Sequence, residues 1–96
     1  MKVNFYATFR EIVGKKSVEF EYQPGMTVGD LVNQIVQAYP AMRRELLDQN
    51  GRLYGHVHVL VNGRDAPYLE QALDTPLDPD DTVNVFPSVG GGAPRL

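Results

Sequence analysis

One stretch of this sequence, directly after Thr27, has apolar residues at helical spacing. In the segments on both sides of it, apolar residues alternate with polar ones. On one face of the predicted helix lie the apolar residues Val28, Leu31, Val32, Ile35, Val36 and Tyr39. Apolar and polar residues alternate before the helix, at 2–9 and 17–22, and after it, at 56–61 and 82–86. A single amphipathic helix must cover its apolar face. The sequence therefore predicts an α+β roll, with the helix on one face of a sheet and the other face open.

Local signals place the ends of the helical segments. Thr27 and Asp30 have the spacing of a capping box, and Pro40 stops the helix because it cannot continue the hydrogen-bond ladder. A short second helix is predicted at about residues 42–47, with Asn50-Gly51 as its end.

Two connections between strands are also predicted. Residues 2–9 and 17–22 are expected to form an antiparallel hairpin through a connection that contains Gly14. Asn62-Gly63 is a strong signal for a two-residue turn after the strand at 56–61.

Size and composition limit the possible functions. A chain of 96 residues with 43% hydrophobic content supports one domain with a modest core. The absence of cysteine excludes disulfides, thiolate catalysis and iron–sulfur ligation, and fits a cytoplasmic protein. A formal net charge of −3 argues against nucleic-acid or membrane binding and favours a basic partner surface. No apolar run has the length of a signal peptide core or a membrane span.

Motifs for catalysis and metal binding are weak. The sequence has no phosphate-binding Gly-x-x-x-x-Gly-Lys loop and no nucleophile elbow. His56 and His58 share one face of a predicted strand, but only Asp65 could add a third ligand nearby. We therefore predict no metal site and ordinary surface histidines.

Four segments together resemble the ubiquitin-like sulfur-carrier proteins of the MoaD and ThiS type. They are FYATFREIVG, TVGDLVNQIVQAYP, VHVLVNGRD and LDPDDTVNVFPSVGGG, and the likeness is closest in detail to the small subunit of molybdopterin synthase. Its most specific part is the ending, where Gly91 and Gly92 take the positions of the family's terminal diglycine. Ser88 stands where the family has a second proline, and residues 93–96 continue past the point where the family's prototypes stop.

The resemblance implies a β-grasp (ubiquitin-like) fold, with a mixed sheet of four to five strands and one main helix packed on one face. Residues 1–87 would form this domain, and residues 88–96 a flexible tail with the diglycine at 91–92 and a removable extension at 93–96.

A carrier cycle is implied as well. A ubiquitin-activating-type adenylyltransferase would use ATP to adenylate the Gly92 carboxylate, and sulfur would then displace AMP to give a thiocarboxylate. The sulfur would pass to an acceptor protein such as the large subunit of molybdopterin synthase. In this cycle the chain is a carrier and a substrate, binds no cofactor and is not itself an enzyme.

The C-terminal tail has the properties that such chemistry requires. Gly90, Gly91 and Gly92 lack a Cβ, so they make a narrow stem that can enter a deep site on another protein. Adenylation needs a free carboxylate, whereas in the chain of 96 residues Gly92 is followed by Ala93. We therefore predict that a protease cuts between Gly92 and Ala93 before activation.

Strand parity predicts a docking surface on the open face of the sheet. The outward residues are Tyr6, His56, His58, Leu60 and Phe86. The partner-binding set that we predict is Tyr6, His58, Leu60, Phe86 and Pro87, with Phe86 as the anchor nearest the tail. Two alternatives stay open. The chain could be a modifier joined to lysines through Gly92, or a non-reactive interaction module that has kept only the fold.

Overall fold

Five strands and three α-helices lie within residues 1–62, 64–65 and 72–87, the part of the chain that this computed structural model describes. The strands are β1 (Lys2–Phe5), β2 (Ser17–Glu19), β3 (Val57–Val61), β4 (Arg64–Asp65) and β5 (Thr82–Pro87). The helices are α1 (Ala7–Val13), α2 (Val28–Ala38) and α3 (Arg43–Leu46), with 3₁₀ turns at Pro40–Met42 and Ala72–Asp74. Among these residues no helix is both long enough and apolar enough to cross a bilayer. The predicted tail at 88–96 lies outside the described residues.

The five strands form one mixed sheet in the order β2-β1-β5-β3-β4. β1 and β5 run parallel at its centre, with Val3 opposite Val83 and Phe5 opposite Val85. All other neighbouring strands are antiparallel. The sheet and its single long helix confirm the β-grasp arrangement that the resemblance implies.

One face of the sheet carries the core. The sheet residues buried there are Val3, Phe5, Val57, Val59, Val61, Val83 and Val85, and α2 adds Val28, Leu31, Val32 and Ile35. Each such side chain contributes roughly 1.5–3 kcal/mol when it is fully buried. Because strand residues alternate between faces, the same strands present their other residues on the open face of the sheet.

The predicted start of the long helix is confirmed in detail. The Thr27 hydroxyl accepts the Asp30 backbone N–H at 3.3 Å, and the Asp30 carboxylate accepts the Thr27 backbone N–H at 3.0 Å. This reciprocal pair satisfies two N–H groups that a helix start leaves without partners. The helix ends at Ala38, shortly before Pro40, as expected.

The predicted strand at residues 2–9 is wrong in its second half. β1 ends at Phe5, and α1 occupies Ala7–Val13. β1 does pair antiparallel with β2, but a helix joins the two strands in place of a hairpin loop.

The spacing of apolar residues explains this error. Phe9 is buried, as alternation required, yet it lies one helical turn before Val13, which is buried beside it. Gly14 then ends α1 with a φ of 83°, a conformation that favours glycine, and its N–H donates to the Arg10 carbonyl oxygen at 2.7 Å. A helix of two turns that ends in glycine therefore fits this segment better than a strand.

The short helix is found, but its predicted end is wrong. α3 stops at Leu46 because Leu47 is extended and forms a bridge with Leu53. Asn50 and Gly51 lie in the turn between those two leucines. Val61 pairs with Arg64, as expected for a two-residue connection after this strand, and Asn62 has a left-handed φ of 52°, whereas Gly63 of the predicted turn lies outside the described residues.

Thr27→Ala is expected to lower the free energy of unfolding by about 1 kcal/mol, since it removes the hydroxyl of the capping box. For a domain of this size the midpoint of thermal unfolding should fall by about 4–8 °C. Thr27→Ser keeps the hydroxyl and is the matched control. Equal losses in both variants would show that the cap contributes nothing measurable.

Candidate functional site

The open face of the sheet near the end of β5 has an unusual mixture of aromatic, apolar and amide side chains. Phe86 lies opposite His58, and Asn84 lies opposite Leu60, in the pairing of β5 with β3. These residues are half-buried and alternate with fully buried valines. The parity predicted for these two strands is therefore correct.

Three rings form a row across this face. Phe86 stacks on His58 with 5.3 Å between ring centroids and an interplanar angle of 19°. On its other side, Tyr6 meets Phe86 edge to face at 6.0 Å and 86°. Such pairs contribute about 0.5–1.5 kcal/mol each beyond the area that they bury. The row of Tyr6, Phe86 and His58, called the aromatic row below, is thus held in place before any partner binds.

An amide network fixes the Tyr6 end of the row. The Asn84 side-chain oxygen accepts a hydrogen bond from the Tyr6 hydroxyl at 3.0 Å and another from the Asn4 amide at 2.9 Å. The Ser17 hydroxyl donates to the Asn4 side-chain oxygen. Because these residues come from β1, β2 and β5, the network ties the orientation of the Tyr6 ring to the sheet.

A groove of about 390 Å³ opens beside the aromatic row. Its lining residues are Tyr6, Ala7, Leu60, Asn84, Phe86 and Pro87. Its volume and its mostly apolar lining suit an inserted side chain of a partner protein. The five residues predicted for partner binding are brought together here, four as groove lining and His58 as part of the row. Their role in binding stays a prediction.

Residues that the sequence did not single out complete this surface. Ala7 has a φ of 55°, a left-handed conformation that costs a non-glycine residue about 1–2 kcal/mol, and it turns the chain from Tyr6 directly into α1. Arg10 follows one helical turn later, with its guanidinium carbon 5.4 Å from the centroid of the Tyr6 ring. Tyr6 and Arg10 are four residues apart, a spacing that brings side chains together on a helix. Because the alternating pattern predicts a strand over residues 2–9, it does not predict this contact.

The predicted reactive and processing residues, Gly90, Gly91, Gly92 and Ala93, lie outside the described residues, and their roles stay predictions. In the described part of the chain, no group of three histidine, cysteine, aspartate or glutamate side chains could hold a metal. The His56 ring stacks on Tyr54, with 5.2 Å between centroids. The two histidines thus each pack against another ring.

A mixed sheet around one main helix, with a half-buried aromatic face at the end of the last strand, defines a ubiquitin-like β-grasp domain. The model of the ThiS family matches residues 3–92, and the chain belongs to that family. The family comprises ubiquitin-like small modifiers and sulfur carriers, so the predicted family and fold are confirmed.

Relatives by sequence and by structure agree with this assignment. Small archaeal modifier protein 3 of Haloferax volcanii is 39% identical over 92 residues, which cover 96% of this chain and 98% of that protein. The crystal structure of small archaeal modifier protein 1 from the same organism has a TM-score of 0.82 at 31% identity, over 95% of this chain and 97% of that chain. A Pyrococcus furiosus protein assigned as molybdopterin converting factor subunit 1 has a TM-score of 0.72 at 30% identity, over 92% of this chain and 95% of that chain.

Phe86→Ala is expected to lower the free energy of unfolding by about 1–2 kcal/mol, since it removes two ring pairs from a half-buried position. Phe5→Ala, on the buried face of the neighbouring strand, is the matched control and should cost about 3–5 kcal/mol. Urea unfolding of both variants measures the difference. A loss at Phe86 as large as that at Phe5 would assign Phe86 to the core.

Proposed function

We propose that this protein is a ubiquitin-like sulfur carrier whose reactive atom is the carboxylate carbon of Gly92. The observation that carries the proposal is the extent of the family match, which stops at Gly92. The described fold supports it, because the strand that leads toward Gly92 ends beside a rigid aromatic row and an apolar groove. A carrier needs both features, a reactive end and a surface by which its partners hold it.

The chemistry has two steps, which follow hydrolysis of the Gly92–Ala93 peptide bond by a protease. A Gly92 carboxylate oxygen attacks the α-phosphorus of ATP, and pyrophosphate leaves, so the product is a mixed anhydride with AMP. A sulfur nucleophile at the oxidation level of sulfide then attacks the carbonyl carbon, and AMP leaves with the electron pair of the broken C–O bond. The product is a thiocarboxylate, and neither step changes the oxidation state of the glycine carbon. The activating partner binds the ATP.

The described residues give this tail a fixed base. Pro87 ends β5, the strand that pairs with β1 on one side and β3 on the other. The five residues that follow Pro87, up to and including Gly92, can reach at most roughly 16–18 Å at about 3.3–3.6 Å per residue. Ordering them in a partner's site costs about 1–2 kcal/mol per residue, so docking of the folded body must offset that loss. The groove and the aromatic row are the surface that we assign to docking.

The sulfur acceptor that we favour belongs to molybdopterin synthesis. The likeness to the Pyrococcus furiosus protein supports this choice, as does the resemblance of the terminal segment to the small subunit of molybdopterin synthase. The acceptor would then be the large subunit of that synthase.

A second candidate is protein modification. The relative that is 39% identical is called a small archaeal modifier protein. In that role a lysine amine attacks the activated Gly92 carbonyl, AMP leaves, and an isopeptide bond forms. Peptides that carry Gly-Gly remnants on lysine, isolated from the native host, would favour modification over sulfur transfer.

Intact-mass measurement on protein from the native host tests the reactive end. We expect a species that ends at Gly92, with a fraction in which sulfur replaces one carboxylate oxygen. Gly92→Val should abolish this species, since a branched side chain obstructs a narrow site, whereas Gly90→Ala is the milder matched control. Protein that always retains residues 93–96, even when sulfur transfer is required for growth, would contradict both reactive functions and leave an interaction module.

The docking role of the groove has its own test. Leu60→Ala is expected to raise the KM of the host's activating enzyme for this protein by about 10-fold, the effect of losing roughly 1.4 kcal/mol of contact energy. Gln37→Ala changes an exposed residue of α2 and should leave KM unchanged. Identical KM values for the two variants would remove the groove from the docking surface.

A further inference from the structure

We propose that Arg10 is a preorganised carboxylate receptor at the rim of the groove, and that the activating enzyme docks by placing an acidic side chain against it. An apolar side chain of the same enzyme would fill the groove beside the aromatic row. This inference rests on the proposed function, because it names the chemistry by which the activating partner recognises the folded body.

Arg10 is held by two contacts before any partner arrives. Its Nε–H donates to the Phe5 carbonyl oxygen at 3.0 Å, and its guanidinium lies over the Tyr6 ring. A guanidinium has five N–H donors in a rigid plane, and the bond to Phe5 uses only the one on Nε. The two terminal nitrogens keep the paired geometry that binds a carboxylate through two parallel hydrogen bonds.

No internal acid occupies this receptor. In the part of the chain that the structure describes, the one ion pair joins the Met1 amino group to Glu19, and Arg10 pairs with no carboxylate. Arg10 is half-buried and lies over Tyr6, which lines the apolar groove, so docking there would exclude water and strengthen a charged hydrogen bond. Arginine in such surroundings is a typical hot spot of protein interfaces.

The charge around Arg10 also favours an acidic partner. Lys15 and Lys16 are exposed, and the Lys16 carbonyl oxygen accepts the Phe5 N–H at 2.8 Å, so this basic segment borders the same end of β1. Glu11 is the single carboxylate on α1. Steering of a partner depends on the local potential more than on net charge.

Some of the acidic residues that contribute to the net charge of −3 lie at the far end of β5. Asp78 and Asp80 precede Thr82 at the start of β5, the opposite end of that strand from Pro87. For the surface around Arg10 the inferred partner is therefore acidic, although the net charge of the whole chain favours a basic one.

The same charges argue against a second copy of this chain as the occupant. In a twofold dimer built on the groove, the basic rims of both copies would lie at the interface. Like charges opposed across an interface weaken it. An acidic surface on a different protein fits the groove and its rim together.

Pyrophosphate exchange by the host's purified activating enzyme, with the chain ending at Gly92 as substrate, tests the inference. That chain retains every described residue. Arg10→Gln is expected to raise KM by about 10- to 100-fold, and Arg10→Lys by less, because lysine keeps the charge without the planar fork. The control is Arg52→Gln, in the loop whose Gly51 lies beside Gly29 and Asp30 at the start of α2, away from the groove. The KM for Arg52→Gln should stay within about 2-fold of the KM for the unchanged protein.

The salt dependence of KM is a second measurement, and its first part needs only the unchanged protein. KM of the unchanged protein should rise with sodium chloride concentration, and the rise should be shallower for Arg10→Gln. Thermal unfolding of each variant separates a docking defect from a folding defect. If Arg10→Gln is unstable, the salt dependence of the unchanged protein and the Arg10→Lys comparison still decide.

Three outcomes would overturn the inference. The first is an unchanged KM for a folded Arg10→Gln variant, and the second is a KM that does not respond to salt. The third is a change in the NMR signals of Tyr6 and Phe86 on removing residues 93–96 without any enzyme, which would assign the groove to the chain's own tail. Absence of exchange with the unchanged chain would instead contradict the proposed function itself, and with it this inference.

Discussion

The parallel pairing of β1 with β5 is the contact on which the rest of the structure depends. It joins the beginning of the described chain to its end, and the side chains of Asn4 and Asn84, 80 residues apart, meet across it. Because β3 pairs with the other edge of β5, the last strand lies within the sheet and is supported on both sides. The residue from which the tail continues is therefore anchored at the centre of the fold. A strand at the edge of the sheet would hold that position less firmly.

Much of this arrangement follows from patterns that the sequence carries locally. The capping box at Thr27 and Asp30 needs only residues three apart, and the alternation around Val59 and Val85 needs only neighbours. The parity of the strands then places Leu60 and Phe86 on the open face without knowledge of the topology. Features that depend only on residues close together in the chain are the ones that a single sequence predicts best.

The segment after Phe5 could not be predicted in the same way, because a spacing of four residues satisfies both periodicities. Phe9 is buried in a helix here, and it would also be buried in a strand that continued from Phe5. The choice depends on the left-handed turn at Ala7 and on Gly14 as the end of the helix. Since Arg10 reaches Tyr6 only on a helix, the error in local structure also concealed the charged part of the candidate site.

The candidate site also depends on a single register of β5. A slip by one residue would turn Phe86 toward the core and Val85 toward the open face, and the aromatic row would be lost. Polar contacts at the start of the strand oppose such a slip. The Asn62 side-chain oxygen accepts the Thr82 N–H at 2.9 Å, and the Asn62 amide donates to the buried carboxylate of Asp81.

These contacts also explain why a buried acid is kept at the far end of the strand. The other oxygen of Asp81 accepts the Asp78 N–H at 2.7 Å, so both oxygens of its carboxylate have partners. A buried carboxylate left without partners would cost several kcal/mol, so each alternative register that breaks these bonds is disfavoured. The polar clamp at Asp81 and the aromatic row at Phe86 thus depend on each other through one strand, although they lie at opposite ends of it.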